Sequence, residues 1–137
     1  MFQRVNYEDL NSRQKENYNF HKVAAELANY GFNCIRLSDD WQGADFIACH
    51  INGDTFLKVQ LKGRLTVSQK YSNKNVHIAF NSSNKWYLYP HDTLRDELLN
   101  LDLIRGSKSW DSDGEFHWPK IPKHLQAHME KYAIKQN

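Results

Sequence analysis

Two apolar segments separated by an Asn-Gly turn constrain the fold of this chain more than any other feature of its sequence. The segments are Ala44-Asp-Phe-Ile-Ala-Cys-His50 and Thr55-Phe-Leu-Lys-Val-Gln-Leu-Lys62, and Ile51-Asn-Gly-Asp54 joins them. Asn-Gly readily adopts the left-handed backbone of a tight turn, and alternating apolar residues on both sides favour strands. The sequence therefore predicts a β-hairpin here.

The same turn sets the pairing register of the hairpin. Residue 51 faces residue 54, and counting outward along both strands places Asp45 opposite Gln60. Cross-strand partners share a face of the sheet, with Cβ atoms about 5 Å apart. Lys62 projects to that face as well, because side chains alternate along a strand. The alternate residues of the second strand are apolar and are predicted to enter the core: Leu57, Val59 and Leu61.

Asp45, Gln60 and Lys62 together form a candidate site for phosphodiester hydrolysis. Mg²⁺ prefers oxygen ligands and completes its shell with waters and substrate phosphate. Asp45 offers an anionic oxygen, Gln60 a neutral one, and the Leu61 carbonyl is a further candidate ligand. A divalent metal lowers the pKa of water and offsets charge at phosphorus. Lys62 would orient the attacking water or stabilise the transition state. The alternative is that these side chains only face solvent.

The order of these residues resembles the PD-(D/E)xK nuclease superfamily. Gly43-Ala-Asp45 is followed, fifteen residues after the aspartate, by Gln60-Leu-Lys62, which is similar to the family motif with its second acidic residue replaced by glutamine and its proline by alanine. The helix before this motif and the strand ending at Pro90 also fit, so the resemblance covers roughly residues 12 to 100. It implies an α/β fold with a restriction-endonuclease-like core, a mixed β-sheet flanked by helices.

Nucleases of this superfamily often add an acidic residue from their first helix, and Glu16 is the candidate in this chain. On a helical wheel Glu16 lies close to Phe20, Val23 and Leu27, whereas Glu26 points away. The alternative role of Glu16 is a favourable interaction with the helix dipole in the first turn.

The resemblance implies a divalent-metal-dependent endonuclease that uses Mg²⁺ or Mn²⁺, with DNA favoured over RNA as the nucleic-acid substrate. Because Gln60 removes one negative charge from the metal site, the alternative is a catalytically inactive nucleic-acid-binding module with the same fold. A titration with metal would separate the two. With no room for a separate recognition domain, specificity would require substrate shape, a homodimer or a partner protein.

The charge distribution favours a polyanionic partner, although the net charge is only +2. Between Thr55 and His91 there is no acidic residue, and basic residues are frequent. A solvated lysine-rich face is the alternative. The candidate nucleic-acid-binding residues of this stretch are Arg64, Lys70, Lys74 and Lys85.

Length and composition predict one globular nuclease-like domain over residues 1–137. No apolar run approaches the roughly 18 residues of a membrane span, and the N-terminal segment lacks a signal-peptide core, so a cytoplasmic location is expected. Cys34 and Cys49 are expected to be buried free thiols, because two lone cysteines form neither a disulfide framework nor a zinc cage.

The remaining chain is predicted to alternate between helices and strands around one mixed sheet. A helix is expected from about Ser12 to Tyr30, and a last helix from Pro122. Between them, the pattern predicts the strands Phe32–Leu37, Val76–Phe80, Trp86–Tyr89 and Glu115–Trp118. It predicts loops at Ser38–Gly43 and Asn81–Asn84 and leaves the segment Leu65–Asn75 ambiguous. A further helix, capped by Asp92 or Thr93, is predicted to run to about Asn100 and to carry Leu94, Leu98, Leu99 and Leu101.

Three further patterns favour structural over functional roles. His124 and His128 have the spacing of zinc ligands but no third ligand in view, so surface histidines are expected. Asp111 to Glu115 is expected to be a tight turn rather than a calcium loop. Five aromatic residues are expected in the core, with base stacking as the alternative: Trp86, Tyr87, Tyr89, Trp110 and Trp118.

Overall fold

The computed structural model describes residues 1–103 and 109–135. Its helices and strands, in chain order, are α1 (Ser12–Ala28), β1 (Phe32–Trp41), β2 (Ala44–His50), β3 (Phe56–Leu61), β4 (Leu65–Ser68), β5 (Val76–Ser82), β6 (Lys85–Pro90), α2 (His91–Asn100), β7 (Glu115–Trp118) and α3 (Gln126–Met129). Among these described residues, no helix is both long and apolar enough to cross a bilayer.

Five of the strands form one mixed sheet in the order β1-β2-β3-β5-β6. Strands β3 and β5 run parallel, and the other neighbours in this sheet run antiparallel. Strands β4 and β7 form a separate antiparallel pair. The expected mixed sheet is confirmed, and the segment 65–75, which the sequence left ambiguous, contributes β4 to a second, smaller sheet.

Helix α1 begins and ends close to the predicted positions. The Asn11 side chain accepts a hydrogen bond from the Gln14 N–H, and the Gln14 side chain accepts one from the Asn11 N–H, each at 2.9 Å. This reciprocal capping satisfies two of the free N–H groups of the first turn. Gly31 follows the helix with φ of 85°, a conformation that favours glycine.

The hairpin of β2 and β3 has the predicted register. Phe46 pairs with Val59, and Cys49 pairs with Phe56. The Asn52 side-chain oxygen accepts hydrogen bonds from the N–H groups of residues 54 and 55, at 2.8 and 2.9 Å, which holds the turn closed. Val59 is fully buried beneath α1, as predicted, and Leu57 and Leu61 pack against the same cluster.

Two hydrophobic clusters cover opposite faces of the mixed sheet. Alternate residues of β5 enter different clusters, because Ala79 packs on the α1 side and Ile78 on the α2 side. The α1 side contains Phe20, Val23, Leu27, Phe46, Ala48, Val59, Ala79, Trp86 and Ile134. The α2 side contains Leu65, Val67, Tyr71, Val76, Ile78, Phe80, Tyr87, Tyr89, Leu94, Leu98, Trp110, Leu125 and Met129.

Two side chains attach β4 to the rest of the protein in place of a neighbouring strand. The Tyr89 hydroxyl accepts a hydrogen bond from the Thr66 N–H at 3.0 Å and donates one to the Thr66 carbonyl at 2.7 Å. His91 Nε2 accepts from the Ser68 N–H at 3.0 Å, so its Nδ1 carries the proton and donates to Asp92 at 2.9 Å. The backbone edge of β4 that does not face β7 is thereby satisfied within the core.

Several element boundaries differ from the predicted ones. Strand β1 continues through the expected loop to Trp41, with an irregular register after Arg36, and the chain turns at Gln42 and Gly43. Strand β5 likewise runs on to Ser82, and the turn narrows to Ser83 and Asn84, both with positive φ. Both strands run beyond their predicted ends through polar residues. The sequence did not predict this, because the exposed end of a strand needs no apolar pattern.

The predicted cap of α2 is wrong. The helix begins at His91 after Pro90, which makes no side-chain capping bond. The Asp92 carboxylate instead accepts from the Asn73 N–H at 2.9 Å and contacts Arg95 at 3.2 Å. The helix ends at Asn100, as predicted, and Leu101 follows it and is 54% exposed.

The C-terminal region agrees with the predicted burial but not with a continuous helix. Leu125 and Met129 are buried and Tyr132 is half-buried, yet 3₁₀ turns flank the short α3 on both sides. Strand β7 confirms the predicted strand, and residues 104–108 of the expected irregular segment lie outside the described residues. Cys34 and Cys49 are free thiols, but they are half-buried rather than buried, and burial raises the pKa of Cys34 to about 11.

Tyr89→Phe removes the hydroxyl that both accepts from and donates to Thr66. The buried amide and carbonyl of β4 then lack partners, so the free energy of unfolding should fall by about 1–3 kcal/mol, measured by urea unfolding. Tyr87→Phe is the matched control, since Tyr87 lies on the same face of β6 and stacks on Phe80 through its ring. Equal losses in the two variants would contradict this role of Tyr89.

The second prediction concerns His91, whose pKa burial lowers below its ordinary value of about 6.5. His91 therefore binds a proton more readily in the unfolded chain than in the folded one. The contribution of neutral His91 to the free energy of unfolding is complete above pH about 6.5, and it is lost as the pH falls toward the pKa of His91 in the folded protein. His91→Gln keeps an acceptor for the Ser68 N–H and should flatten the fall in unfolding free energy below pH about 6.5. The pKa of His77 is also lowered by burial, but His77 is present in both proteins. Identical pH profiles would contradict the prediction.

Candidate functional site

The site lies where the hairpin of β2 and β3 ends. Asp45 and Gln60 are the next residues beyond the Phe46–Val59 pair, so the predicted register brings them to one place. The Asp45 Oδ2 accepts a hydrogen bond from the Leu61 N–H at 2.8 Å, and the Gln60 Nε2 donates to the Leu61 carbonyl at 3.4 Å. The backbone of Leu61 thus connects the aspartate and the glutamine.

An open cleft of about 650 Å³ contains all the residues that the sequence predicted for catalysis. Asp45, Gln60, Leu61 and Lys62 line it from the hairpin, and Glu16 lines it from α1. The remaining lining residues are Arg13, Arg36, Leu37, Ser38, Asp39 and Asp40.

Gln60 presents an oxygen that has no partner. Its Oε1 is buried and makes no hydrogen bond to the part of the chain that the structure describes. Leaving a buried acceptor unsatisfied costs about 1–3 kcal/mol, so such groups are rare in the absence of a ligand, an ion or a bound water. This oxygen is therefore available to a ligand in the cleft.

The environment of Asp45 disfavours its negative charge. Burial is the largest cause that raises the pKa of Asp45, and the nearby carboxylates of Asp40 and Glu16 raise it further. The hydrogen bond from the Leu61 N–H and the charge of Lys62 oppose this shift without cancelling it. A cation bound beside Asp45 would supply the missing compensation.

Glu16 lies in the cleft but is not hydrogen-bonded to Asp45. Its side chain is 65% exposed, and its Oε2 lies 4.0 Å from Arg36 Nη2. The Arg36 guanidinium also contacts the side chain of Asn17 and lies 5.4 Å from the ring centre of Phe20. Glu16 lines the cleft, on the side that the helical wheel indicated. The role of Glu16 as a metal ligand remains a prediction.

Lys62 is held at the start of the loop after β3. Its N–H donates to the Ala79 carbonyl of β5 at 2.9 Å, and its ammonium lies 5.2 Å from the centre of the Tyr71 ring. A cation at this distance from an aromatic face is attracted to it. Tyr71 is buried, and a Cβ at Gly43 would lie 3.3 Å from its ring. The backbone at Gly43, which has a φ of 84°, therefore passes close to the Tyr71 ring.

Neither the position of Tyr71 nor that of Asp40 could be predicted from the sequence. Tyr71 lies in the ambiguous segment 65–75, and its contact with Lys62 exists only because β4 and the following turn fold back toward the hairpin. Asp40 lay in a predicted loop, and it enters the cleft because β1 continues to Trp41. The alternating spacing of apolar residues, which predicts strands, says nothing about either contact.

The predicted basic residues fall into two groups. Arg64 is exposed and, with Lys62 and His117, lines a depression of about 330 Å³ next to the site. Lys70 and Lys74 are also exposed, and the Lys70 ammonium lies 5.1 Å from the Tyr71 ring centre. Lys85 differs from them, because it forms an ion pair with Glu130 at 3.2 Å. Its charge is therefore partly compensated within the protein.

The other patterns are structural where the structure describes them. His128 is not a plain surface histidine, since its Nε2 lies 2.7 Å from Glu97. Asp111 to Asp113 belong to a π-helical turn, and Glu115 begins β7. The aromatic residues Trp86, Tyr87, Tyr89 and Trp110 are buried, which confirms their place in the core, and Trp118 packs against it.

No protein-family model matches the sequence, and no curated protein matches it. Among solved structures, a Holliday junction resolvase from the archaeal hyperthermophile Archaeoglobus fulgidus aligns at 21% identity over 51% of this chain and 74% of its own, with a TM-score of 0.40. The bacterial homing endonuclease I-Ssp6803I aligns at 15% identity over 90% of this chain and 86% of its own, with a TM-score of 0.51. The second similarity and the five-stranded mixed sheet flanked by helices show that the chain has an α/β fold with a restriction-endonuclease-like core.

Proposed function

We propose that this protein is a divalent-metal-dependent nuclease that hydrolyses phosphodiester bonds, with DNA as its substrate. The observation that carries the proposal is the unpartnered, buried Oε1 of Gln60 in the same cleft as the Asp45 carboxylate and Lys62. An anionic oxygen, a neutral oxygen and an ammonium together match the needs of phosphodiester hydrolysis. The fold shared with a homing endonuclease supports a nuclease rather than another class of enzyme.

The oxygen ligands present fit Mg²⁺ or Mn²⁺ better than a softer metal. Asp45, Gln60 and the Leu61 carbonyl would hold the ion, and Glu16 is the further candidate from α1. Within residues 1–103 and 109–135, no group of three or more His, Cys, Asp and Glu side chains lies close enough to bind a metal. Mg²⁺ tolerates this, because it binds to one or two carboxylates and completes its shell with water and substrate phosphate.

A bound dication would act as a Lewis acid that offsets charge on the phosphate and lowers the pKa of an attacking water. The residues of the chain supply the remaining steps. Asp45 and Gln60 would present their oxygens to the ion from defined positions at the end of β3, because the backbone of Leu61 hydrogen-bonds to both side chains. The Lys62 ammonium would orient the attacking water or stabilise the extra negative charge of the pentacovalent transition state. Tyr71 keeps that ammonium near the site by packing against it.

Three basic residues would bind the flanking phosphates. Arg64, Lys70 and Lys74 are exposed and belong to the stretch that lacks acidic residues. Lys85 is a weaker candidate for this role, because it is already paired with Glu130. Specificity would then come from the shape of the substrate or from a second protein, either another copy of this domain or a different partner.

A nucleic-acid-binding module without activity is the second candidate function. The neutral Gln60 favours it, because a carboxamide attracts a dication less strongly than a carboxylate does. Calorimetric titration with Mn²⁺ separates the two functions. Binding that is lost in Asp45→Asn supports the nuclease, and an absence of binding in the parent supports the module.

The third prediction concerns Lys62→Ala. If the ammonium acts on the water or the transition state, this variant should cleave plasmid, single-stranded and branched DNA at least about a hundredfold more slowly in Mg²⁺ or Mn²⁺. Its melting temperature and its affinity for DNA should stay close to those of the parent.

Lys58→Ala is the matched control, since Lys58 lies on β3, the strand that leads into Lys62, and its ammonium donates to the Lys74 carbonyl instead of lining the cleft. The control should retain the cleavage rate of the parent. Equal rates in Lys62→Ala and the parent would end the catalytic assignment of Lys62.

The fourth prediction concerns Gln60→Glu, which adds a carboxylate of nearly the same size beside Asp45. Without metal the two carboxylates repel, and because the pKa of Asp45 is already raised, the variant should unfold more easily in EDTA. With Mg²⁺ or Mn²⁺ the added charge strengthens binding, so its melting temperature should rise more than that of the parent. Scanning calorimetry with and without metal measures both effects. If metal shifts neither melting temperature, the site does not bind metal.

A further inference from the structure

A second cleft of about 520 Å³ opens on the other side of Lys62, between α1 and the β5–β6 turn. Lys62 lines this cleft and also the one that contains Asp45, so the two clefts meet at the same residue. Besides Lys62, its lining includes Tyr7, Tyr18, Asn19, Lys22, Glu26, Asn81 and Asn84.

Two tyrosine rings form one wall of the cleft, and Tyr18 is exposed whereas Tyr7 is half-buried. The rings of Tyr7 and Tyr18 lie 5.2 Å apart between their centres, at 59° to each other. Tyr18 is 41% exposed although it belongs to α1, and the Lys22 ammonium lies over its ring, 5.2 Å from the ring centre. A base that stacks on Tyr18 would therefore displace the Lys22 ammonium from the ring, which frees this charge for a phosphate.

The opposite wall offers amide groups for hydrogen bonding. Asn81 and Asn84 are exposed, and their side chains make no hydrogen bond to the described residues. Asn84 lies in the tight turn between β5 and β6, with a positive φ of 63°. Asn19 donates to the Tyr7 hydroxyl at 2.9 Å, which orients that ring. Carboxamides pair with the edges of nucleobases through both a donor and an acceptor.

These groups together match the chemistry of one nucleotide. An aromatic ring stacks on a base, carboxamides bind its edge, and the Lys22 ammonium attracts its phosphate. The volume falls within the range of about 300–1,000 Å³ that small-molecule sites occupy. Because β5 runs parallel to β3 and the Lys62 N–H bonds to Ala79, the end of β5 places the cleft directly beside the reacting site.

A base within an uninterrupted duplex cannot reach such a wall. Its faces are covered by neighbouring base pairs, and extruding it costs a few kcal/mol. We propose that this cleft binds one unpaired nucleotide of a DNA strand, next to the site formed by Asp45, Gln60 and Lys62. The proposal rests on the proposed function, and it makes single-stranded, flapped or branched DNA the preferred substrate over continuous duplex.

Binding without metal tests the cleft separately from catalysis. A fluorescein-labelled oligothymidylate of twelve nucleotides and a duplex of the same length are titrated in EDTA, with fluorescence anisotropy as the readout. The parent should bind the single strand at least about tenfold more tightly than the duplex. Tyr18→Ala should reduce the affinity for the single strand by about tenfold, the scale of losing one stacked base, and leave the affinity for the duplex unchanged.

Three further variants separate stacking from general effects on folding. Tyr18→Phe keeps the ring and should bind the single strand as the parent does. Asn84→Gly removes the amide, keeps a residue suited to positive φ, and should weaken binding to the single strand. Tyr30→Ala is the matched control on a tyrosine of similar exposure, 44%, which follows the other end of α1, and it should have no effect.

The outcomes distinguish this proposal from the nuclease function. If no DNA is cleaved in Mg²⁺ or Mn²⁺ but single-strand binding depends on Tyr18, the proposed nuclease function is wrong and the proposed nucleotide site in the cleft is supported. If DNA is cleaved while Tyr18→Ala binds single strand and duplex as the parent does, the cleft fails and the nuclease function stands. Equal affinity of the parent for single strand and duplex would also overturn the cleft.

Discussion

The antiparallel pairing of β2 with β3 is the constraint on which the rest of the structure depends. Its register decides which face each side chain occupies, and a shift of one residue would move Gln60 into the core and Val59 into solvent. The Asn52 side chain closes the turn that fixes this register. Where the hairpin ends, the Leu61 N–H binds the Asp45 carboxylate rather than another strand. The Leu61 N–H at the end of the hairpin therefore holds the Asp45 side chain in the site.

The site combines groups that would be unfavourable in an ordinary hairpin. Asp45 is partly buried near two other carboxylates, and within the described part of the chain the buried Oε1 of Gln60 has no hydrogen-bond partner. Both features lower stability in the absence of a cation, and both would be relieved by one oxygen-bound dication. The arrangement is consistent with a site whose residues are set for a ligand rather than for stability alone.

The position of Lys62 depends on packing far from the hairpin. Tyr89 and His91 bind the free edge of β4, and β4 leads directly into the turn that contains Tyr71. Tyr71 packs against His91 on one side, with ring centres 5.7 Å apart, and against the Lys62 ammonium on the other. A loss of either hydrogen bond to β4 would therefore affect both stability and the position of the lysine.

The sequence by itself determined α1, the β2–β3 hairpin, its register, and the meeting of Asp45, Gln60 and Lys62, since all of these follow from local turn chemistry and alternation. The direction of Glu16 also followed from helical periodicity. Only the tertiary structure decided that β4 leaves the main sheet, that β1 extends to carry Asp40 to the cleft, and that Tyr71 packs on Lys62. Those contacts join residues whose local patterns are polar or ambiguous. They arise because long-range packing and backbone hydrogen bonds to side chains, rather than local propensity, fix such segments.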